Sequence, residues 1–224
     1  MSDLYVHALT GGPFPPFEHA GRRIGFENLQ GVFAAIEARS APPALSEAEL
    51  RVQHAIIVEI AGRADAVLPA RFGSFVPRAE LHRLVDLRRD SIREALDLVK
   101  GREQMTIRVL GDASQAEAAL AAAKSPATHR PGTAYLLDRQ AAVRSKLPPD
   151  VEAALNDAVR HLVVAVRAER GEGTTLARIY HLIQRGSEPA YRQALAPAVD
   201  ALSGTTIVTT GPWPTFAFTP ELWP

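Results

Sequence analysis

The chain has 224 residues, 46% of them apolar and 22% charged, which fits one large or two small globular domains and excludes a mainly disordered chain. Its 25 lysines and arginines balance 25 aspartates and glutamates, so no net field draws it to nucleic acid or an anionic membrane. There is no cysteine, which removes thiolate catalysis, disulfides and cysteine-ligated zinc or iron–sulfur sites.

Leu4-Tyr5-Val6-His7-Ala8-Leu9 is a short apolar run stopped by Gly11-Gly12-Pro13 and reads as a central strand. Extended runs at 23–26 and 32–37 flank Gly31 and suggest a hairpin. Ser46, with Glu49 three residues on, starts a helix that runs to about Ile60 and ends at Gly62. Residues 66–72 read as a buried strand leading into Gly73. Pro77 opens one long helix with Leu81, Leu84, Val85, Ile92, Ala95, Leu96 and Val99 on one face and Gly101 beyond its end. Met105-Thr106-Ile107-Arg108-Val109-Leu110 reads as a strand. This order predicts an antiparallel sheet with two helices on one face, as in ferredoxin-like folds.

Two domains are expected, 1–111 and 112–224. In the second, short helical sequence at 118–123 and 133–146 precedes a longer helix after Pro149-Asp150. The apolar stripe of that helix is Val151, Ala154, Leu155, Ala158, Leu162, Ala165 and Val166, and Gly171 and Gly173 terminate it. Residues 177–183 read as a strand, and Ser187-Glu188-Pro189 opens a helix that Pro197 should kink or split. The β-branched run 205–210 reads as a strand broken by Gly211-Pro212-Trp213-Pro214, which Phe216-Ala217-Phe218 could resume. The fold class is therefore α+β, with a more helical second half.

The search for chemistry returns mostly negatives. The seven histidines form no H-x-H or H-E-x-x-H pair, and Ser74 stands in no G-x-S-x-G elbow. Gly171-Glu172-Gly173-Thr174 lacks the lysine of a phosphate loop and places a carboxylate where phosphate would sit. No catalytic, cofactor or metal site is expected. His54, inside an apolar helix, reads as a hydrogen-bonded core or interface residue. Asp86 and Asp90 lie among arginines and read as a salt-bridge lattice. Arg71, beside Phe72 and Gly73, is either a structural tie or an anion site. The C-terminal Trp213, Pro214, Phe216 and Phe218 either close the core or bind a partner.

Taken in order, Leu68-Pro69-Ala70-Arg71-Phe72-Gly73-Ser74, a long helix, Ile107-Arg108-Val109, Gly132-Thr133-Ala134-Tyr135-Leu136 and Thr210-Gly211-Pro212-Trp213-Pro214 resemble gas vesicle accessory proteins of the GvpL/GvpF family. The resemblance implies two α+β domains, the first a modified ferredoxin-like fold. It implies a non-enzymatic accessory or minor structural role, with the hydrophobic shell protein GvpA and other accessory proteins as partners. It makes Arg71, Phe72, Gly73, Trp213, Pro214 and Phe216 structural or partner-contact residues. The resemblance implies a location at the gas vesicle, and the cytoplasm is expected because the N-terminus lacks a signal-peptide pattern and no apolar stretch reaches the ~18 residues of a membrane span. The alternative function is an enzyme or small-ligand binder using an interdomain cleft near Arg71.

Overall fold

A computed structural model describes residues 3–111, 149–171, 175–202 and 205–221. The expected helices at 118–123 and 133–146, and the run 132–136, lie outside the described residues. The chain forms two compact units, Met1–Gln104 with Trp213–Pro224, and Met105–Pro212.

The first unit is built on an antiparallel sheet of β1 (Asp3–Thr10), β2 (Phe17–His19), β3 (Arg22–Leu29), β4 (Val32–Arg39), β5 (Val67–Pro69) and β6 (Phe75–Val76). Their order is β2-β3-β4-β1-β5, with β6 also paired to β1. The expected hairpin at Gly31 forms β3 and β4. Its two turn residues, Gln30 and Gly31, both have positive φ, the turn whose twist suits flanking strands. β1 runs Leu4 to Thr10 without an exposed residue, so both faces of the sheet are covered. A bulge at His7 separates the Val6↔Ile36 and Ala8↔Ala35 pairs.

Helix α1 (Glu47–Arg63) begins where expected, Ser46 Oγ accepting from the Glu49 amide at 3.2 Å. The Glu49 carboxylate does not complete a reciprocal capping box. It pairs with Arg22 at 2.6 Å. Ile56 and Ile60 pack with Ala8, Phe17, Ile24, Ala35 and Val67, each isoleucine contributing about 1.5–3 kcal/mol by burial.

The long helix expected after Pro77 is two helices, α2 (Arg78–Leu87) and α3 (Arg89–Val99). The apolar spacing is right in each, but Arg88 falls where the stripe needs an apolar residue. It takes φ −117°, ψ 19° and caps both helices. Phe26 packs with the α1 cluster, while its strand neighbour Glu27 pairs with His82 of α2 at 2.7 Å. Adjacent strand residues point to opposite faces, so α1 and α2 cover opposite faces of the sheet. The expected pair of helices on one face is replaced by this three-layer form.

The second unit holds a sheet ordered β10-β7-β9-β8, with β7 (Arg102–Leu110), β8 (Val163–Arg170), β9 (Thr175–Gln184) and β10 (Thr206–Trp213). Helices α4 (Pro149–Val159) and α5 (Glu188–Ala201) cover one face. Met105, Ile107, Val109, Ile179 and Ile183 meet Val151, Leu155, Val159, Tyr191 and Leu195 there. β7, read with the first half on sequence, lies in this sheet. The residues from Trp213 onward, read with the second half, lie in the first unit.

Several expectations are corrected here. The helix after residue 150 stops at Val159, because Val163, Val164 and Val166 prefer a pleated strand. β8 and β9 pair antiparallel from Val163↔Ile183 to Arg170↔Ala177, so Gly171 follows a strand and terminates no helix. Of the kink or split expected at Pro197, the split does not occur, since α5 continues through it. β10 continues through the cis Gly211–Pro212 bond to Trp213, since Pro212, with no N–H, suits a strand at the end of the sheet order. Phe216–Phe218 is then a 3-10 turn instead of a resumed strand.

Candidate functional site

The Arg71–Gly73 segment is an outward loop in a sheet edge. β5 pairs with β1 through Ala8↔Pro69 and β6 through Tyr5↔Phe75. Between them the ladder is kept by Ala70 N–H donating to His7 O and Val6 N–H donating to Ser74 O, both at 2.8 Å. Residues 71–73 are thereby ejected, and Gly73 turns back at φ +87°, a conformation that suits glycine. The expected strand over 66–72 therefore ends at Pro69.

The loop is held from below. Tyr5 Oη donates to Gln53 Oε1 and accepts from the Gly73 amide at 3.1 Å, while Gln53 Nε2 donates to Ala70 O at 3.2 Å. Burial raises the Tyr5 pKa, so the hydroxyl keeps its proton for Gln53. Phe72 lies edge-on to Tyr5. Arg71 points outward, 71% exposed, and pairs with Glu221 at 2.8 Å.

Beside Tyr5, His7 is fully buried and lies 3.4 Å from Glu37. Desolvation lowers its pKa against the pull of Glu37. Burial raises that of Glu37, but the His7 contact and the Arg39 and Arg22 charges outweigh it and leave Glu37 below the usual carboxylate range.

The C-terminal residues run along the same edge. Thr215 is buried and donates its hydroxyl to Val67 O at 2.6 Å. Ala217 N–H donates to Gln104 Oε1 at 2.8 Å. Phe218 is 1% exposed, Pro214 is buried, and Arg88 donates to the Glu221 carbonyl. The tail is thus docked, and it covers the outer edge of β5, a device against edge-to-edge pairing.

Docking leaves Trp213 and Phe216 outside, 37% and 39% exposed. Both rings meet His54 of α1, Trp213 at 5.7 Å edge-on and Phe216 at 6.1 Å nearly parallel. His54 is itself exposed, so of the expected core or interface placements it does not take the core one. Leu50 and Val58, four residues to either side, are also exposed. Together these five side chains form an apolar and aromatic surface. Its α1 part was legible as a second stripe, spaced by four and offset from Ile56 and Ile60, which a helix with one buried face does not need.

The family model for the gas vesicle synthesis protein GvpL/GvpF matches residues 4–220. The chain belongs to this family. Two crystal structures of GvpF share the fold: that from Microcystis aeruginosa, at TM-score 0.74, 15% identity and coverage of 99% of this chain and 100% of that one, and that from Anabaena sp. PCC7120, at TM-score 0.72, 15% identity and 99% coverage of each. No curated protein matches the sequence. In this GvpL/GvpF member the docked tail meets β5 through the Thr215–Val67 hydrogen bond and the ejected loop through the Arg71–Glu221 pair. Among the described residues no cluster of three metal-ligating side chains occurs, and no helix is long and apolar enough to cross a membrane.

Proposed function

We propose that this GvpL/GvpF protein is a non-enzymatic accessory or minor structural protein of the gas vesicle. It acts from the cytoplasm and binds the hydrophobic shell protein GvpA in cooperation with other accessory proteins. The observation that supports this most is the exposed surface made by Leu50, His54 and Val58 of α1 with Trp213 and Phe216 of the docked tail. Rigid aromatic side chains bury much area at little entropy cost. A shell subunit exposes apolar surface and strand edges before it polymerises, and such a surface can cover them until assembly.

The test is capture of cognate GvpA by the purified protein, comparing wild type with Trp213→Ala/Phe216→Ala and with Arg83→Ala as a control. Loss of capture in the aromatic variant alone supports the reading. Equal capture by all three places the binding surface elsewhere, and no capture by wild type removes GvpA as the direct partner.

A further inference from the structure

We infer that β8 is a self-pairing edge through which two copies of this chain join their second sheets. The strand closes the order β10-β7-β9-β8, and its outer side carries no strand among the described residues. Eight residues long, it is largely exposed, with Val164 at 45% and Val166 at 44%. Val166 and Ala168 stand opposite His181 and Ile179, which are fully buried on the helix-covered face. The described helices of this unit therefore stop short of β8.

Natural edges of this length are guarded by proline, bulges or inward charge. Here the bulge affects only the start, between Val163 and Ala165, and 165–170 pairs regularly with β9. The remaining guards are Arg167, Glu169 and Arg170, and their order decides the occupant. In an antiparallel dimer with its twofold axis at Ala168, Arg167 of each copy faces Glu169 of the other, Val166 faces Arg170, and Ala168 faces itself. Shifting the axis to Arg167 or Glu169 sets like charges opposite each other. Shifting it halfway from Ala168 to Glu169 sets Arg167 against Arg170, and halfway to Arg167 leaves no charge pair. The chain's own β8 thus supplies one register with two opposite-charge pairs and no like-charge pair, the arrangement that favours cross-strand pairing.

The face is consistent as well. Glu169 stands opposite Arg178 of its own β9 and accepts from the Tyr180 hydroxyl at 2.8 Å, which fixes it on the side away from the helices. In the dimer it lies between Arg178 and the second copy's Arg167, a ladder of alternating sign. The small Ala168 at the axis allows the ~4.5–5.5 Å approach of directly opposed residues.

Sedimentation velocity on the full-length protein, over a range of concentrations, should show a reversible dimer. Arg167→Glu or Glu169→Arg alone should weaken it roughly tenfold or more, because each puts two like-charge pairs at the axis. Arg167→Glu/Glu169→Arg should restore it, since both pairs are then reversed. The chain has no cysteine, so Ala168→Cys should form a single disulfide-linked dimer on mild oxidation. A monomer at every concentration overturns the inference. So does a dimer indifferent to the single reversals or not recovered by the double one. If the reversals prevent folding, failure of the otherwise folded Ala168→Cys variant to cross-link overturns it instead.

Discussion

The Tyr5 hydroxyl donates to Oε1 of Gln53 at 2.5 Å, and its own oxygen accepts from the Gly73 amide at 3.1 Å. One buried phenol thereby ties β1 to α1 and to the ejected loop. Tyr5→Phe keeps the ring contacts with His7 and Phe72 but leaves Gln53 Oε1 without its donor and the Gly73 N–H without its acceptor. The expected cost is ~1–3 kcal/mol, read as a lower urea midpoint at unchanged slope. An unchanged midpoint would show that water replaces the hydroxyl and that the loop is not held from below.

In the loop itself, stability should reside in Gly73 and not in Arg71. Arg71 and Glu221 are both 71% exposed, and exposed ion pairs contribute ~0–1 kcal/mol. Arg71→Ala should therefore move the melting temperature little, in contrast to the structural tie the sequence allowed. A Cβ added at Gly73 would meet open space, but the residue sits at φ +87°, so Gly73→Ala should cost about 1–2 kcal/mol through backbone conformation alone. Parallel thermal melts decide the order, and a larger loss for Arg71→Ala would reverse it.

What could be read from sequence depended on whether the deciding contact was local. The Ser46 cap, the Gln30-Gly31 turn and the β-branched 206–210 run are set by neighbouring residues and were legible. At 160–166 the helical spacing of Leu162, Ala165 and Val166 continued a real helix, and only pairing with β9 settles that the chain is a strand there. Arg88 broke the apolar stripe visibly, but a charged residue at such a place is as often tolerated as obeyed. Of the site, Trp213 and Phe216 stood out by composition. Their partner His54 is more than 150 residues away in the chain, and the second stripe of its helix marks an extra apolar face without saying what meets it.

Stability should fall on mild acidification, and His181 should account for much of the loss. This side chain is fully buried. Nε2 donates to Asn156 Oδ1 at 2.8 Å, and Nδ1 accepts from the Tyr191 hydroxyl at 2.7 Å, so the ring is satisfied only when neutral. Burial pushes its pKa down to about 4, against ~6.5 in the unfolded chain. The unfolded state then binds more protons between these values. The contribution is complete above pH ~6.5, declines as pH falls, and is gone near pH 4, a change of about 3 kcal/mol. His7 and Glu37, both shifted down, act in the same direction. His181→Gln should lower stability at pH 7 and flatten the pH dependence. A ring signal titrating near pH 6.5 in the folded protein would refute the assignment.

The docked tail should divide cleanly into an anchor and a contact surface. Phe218 is 1% exposed, while Phe216, two residues away, is 39% exposed and rests on His54. Phe218→Ala removes a ring from a packed interior and should cost ~3–5 kcal/mol, loosening the Thr215–Val67 and Ala217–Gln104 hydrogen bonds with it. Phe216→Ala should cost ~1 kcal/mol or less, since much of that ring already faces water. Removing residues 211–224 should do at least what Phe218→Ala does, because it also uncovers the outer edge of β5 and invites aggregation. Chemical denaturation of the two point variants, with light scattering of the truncated chain, separates these effects. If Phe216→Ala proves as destabilising as Phe218→Ala, its ring belongs to the core, and the surface around His54 is a by-product of packing. If the truncated chain stays soluble with unchanged unfolding, the tail is not an anchor and serves binding alone.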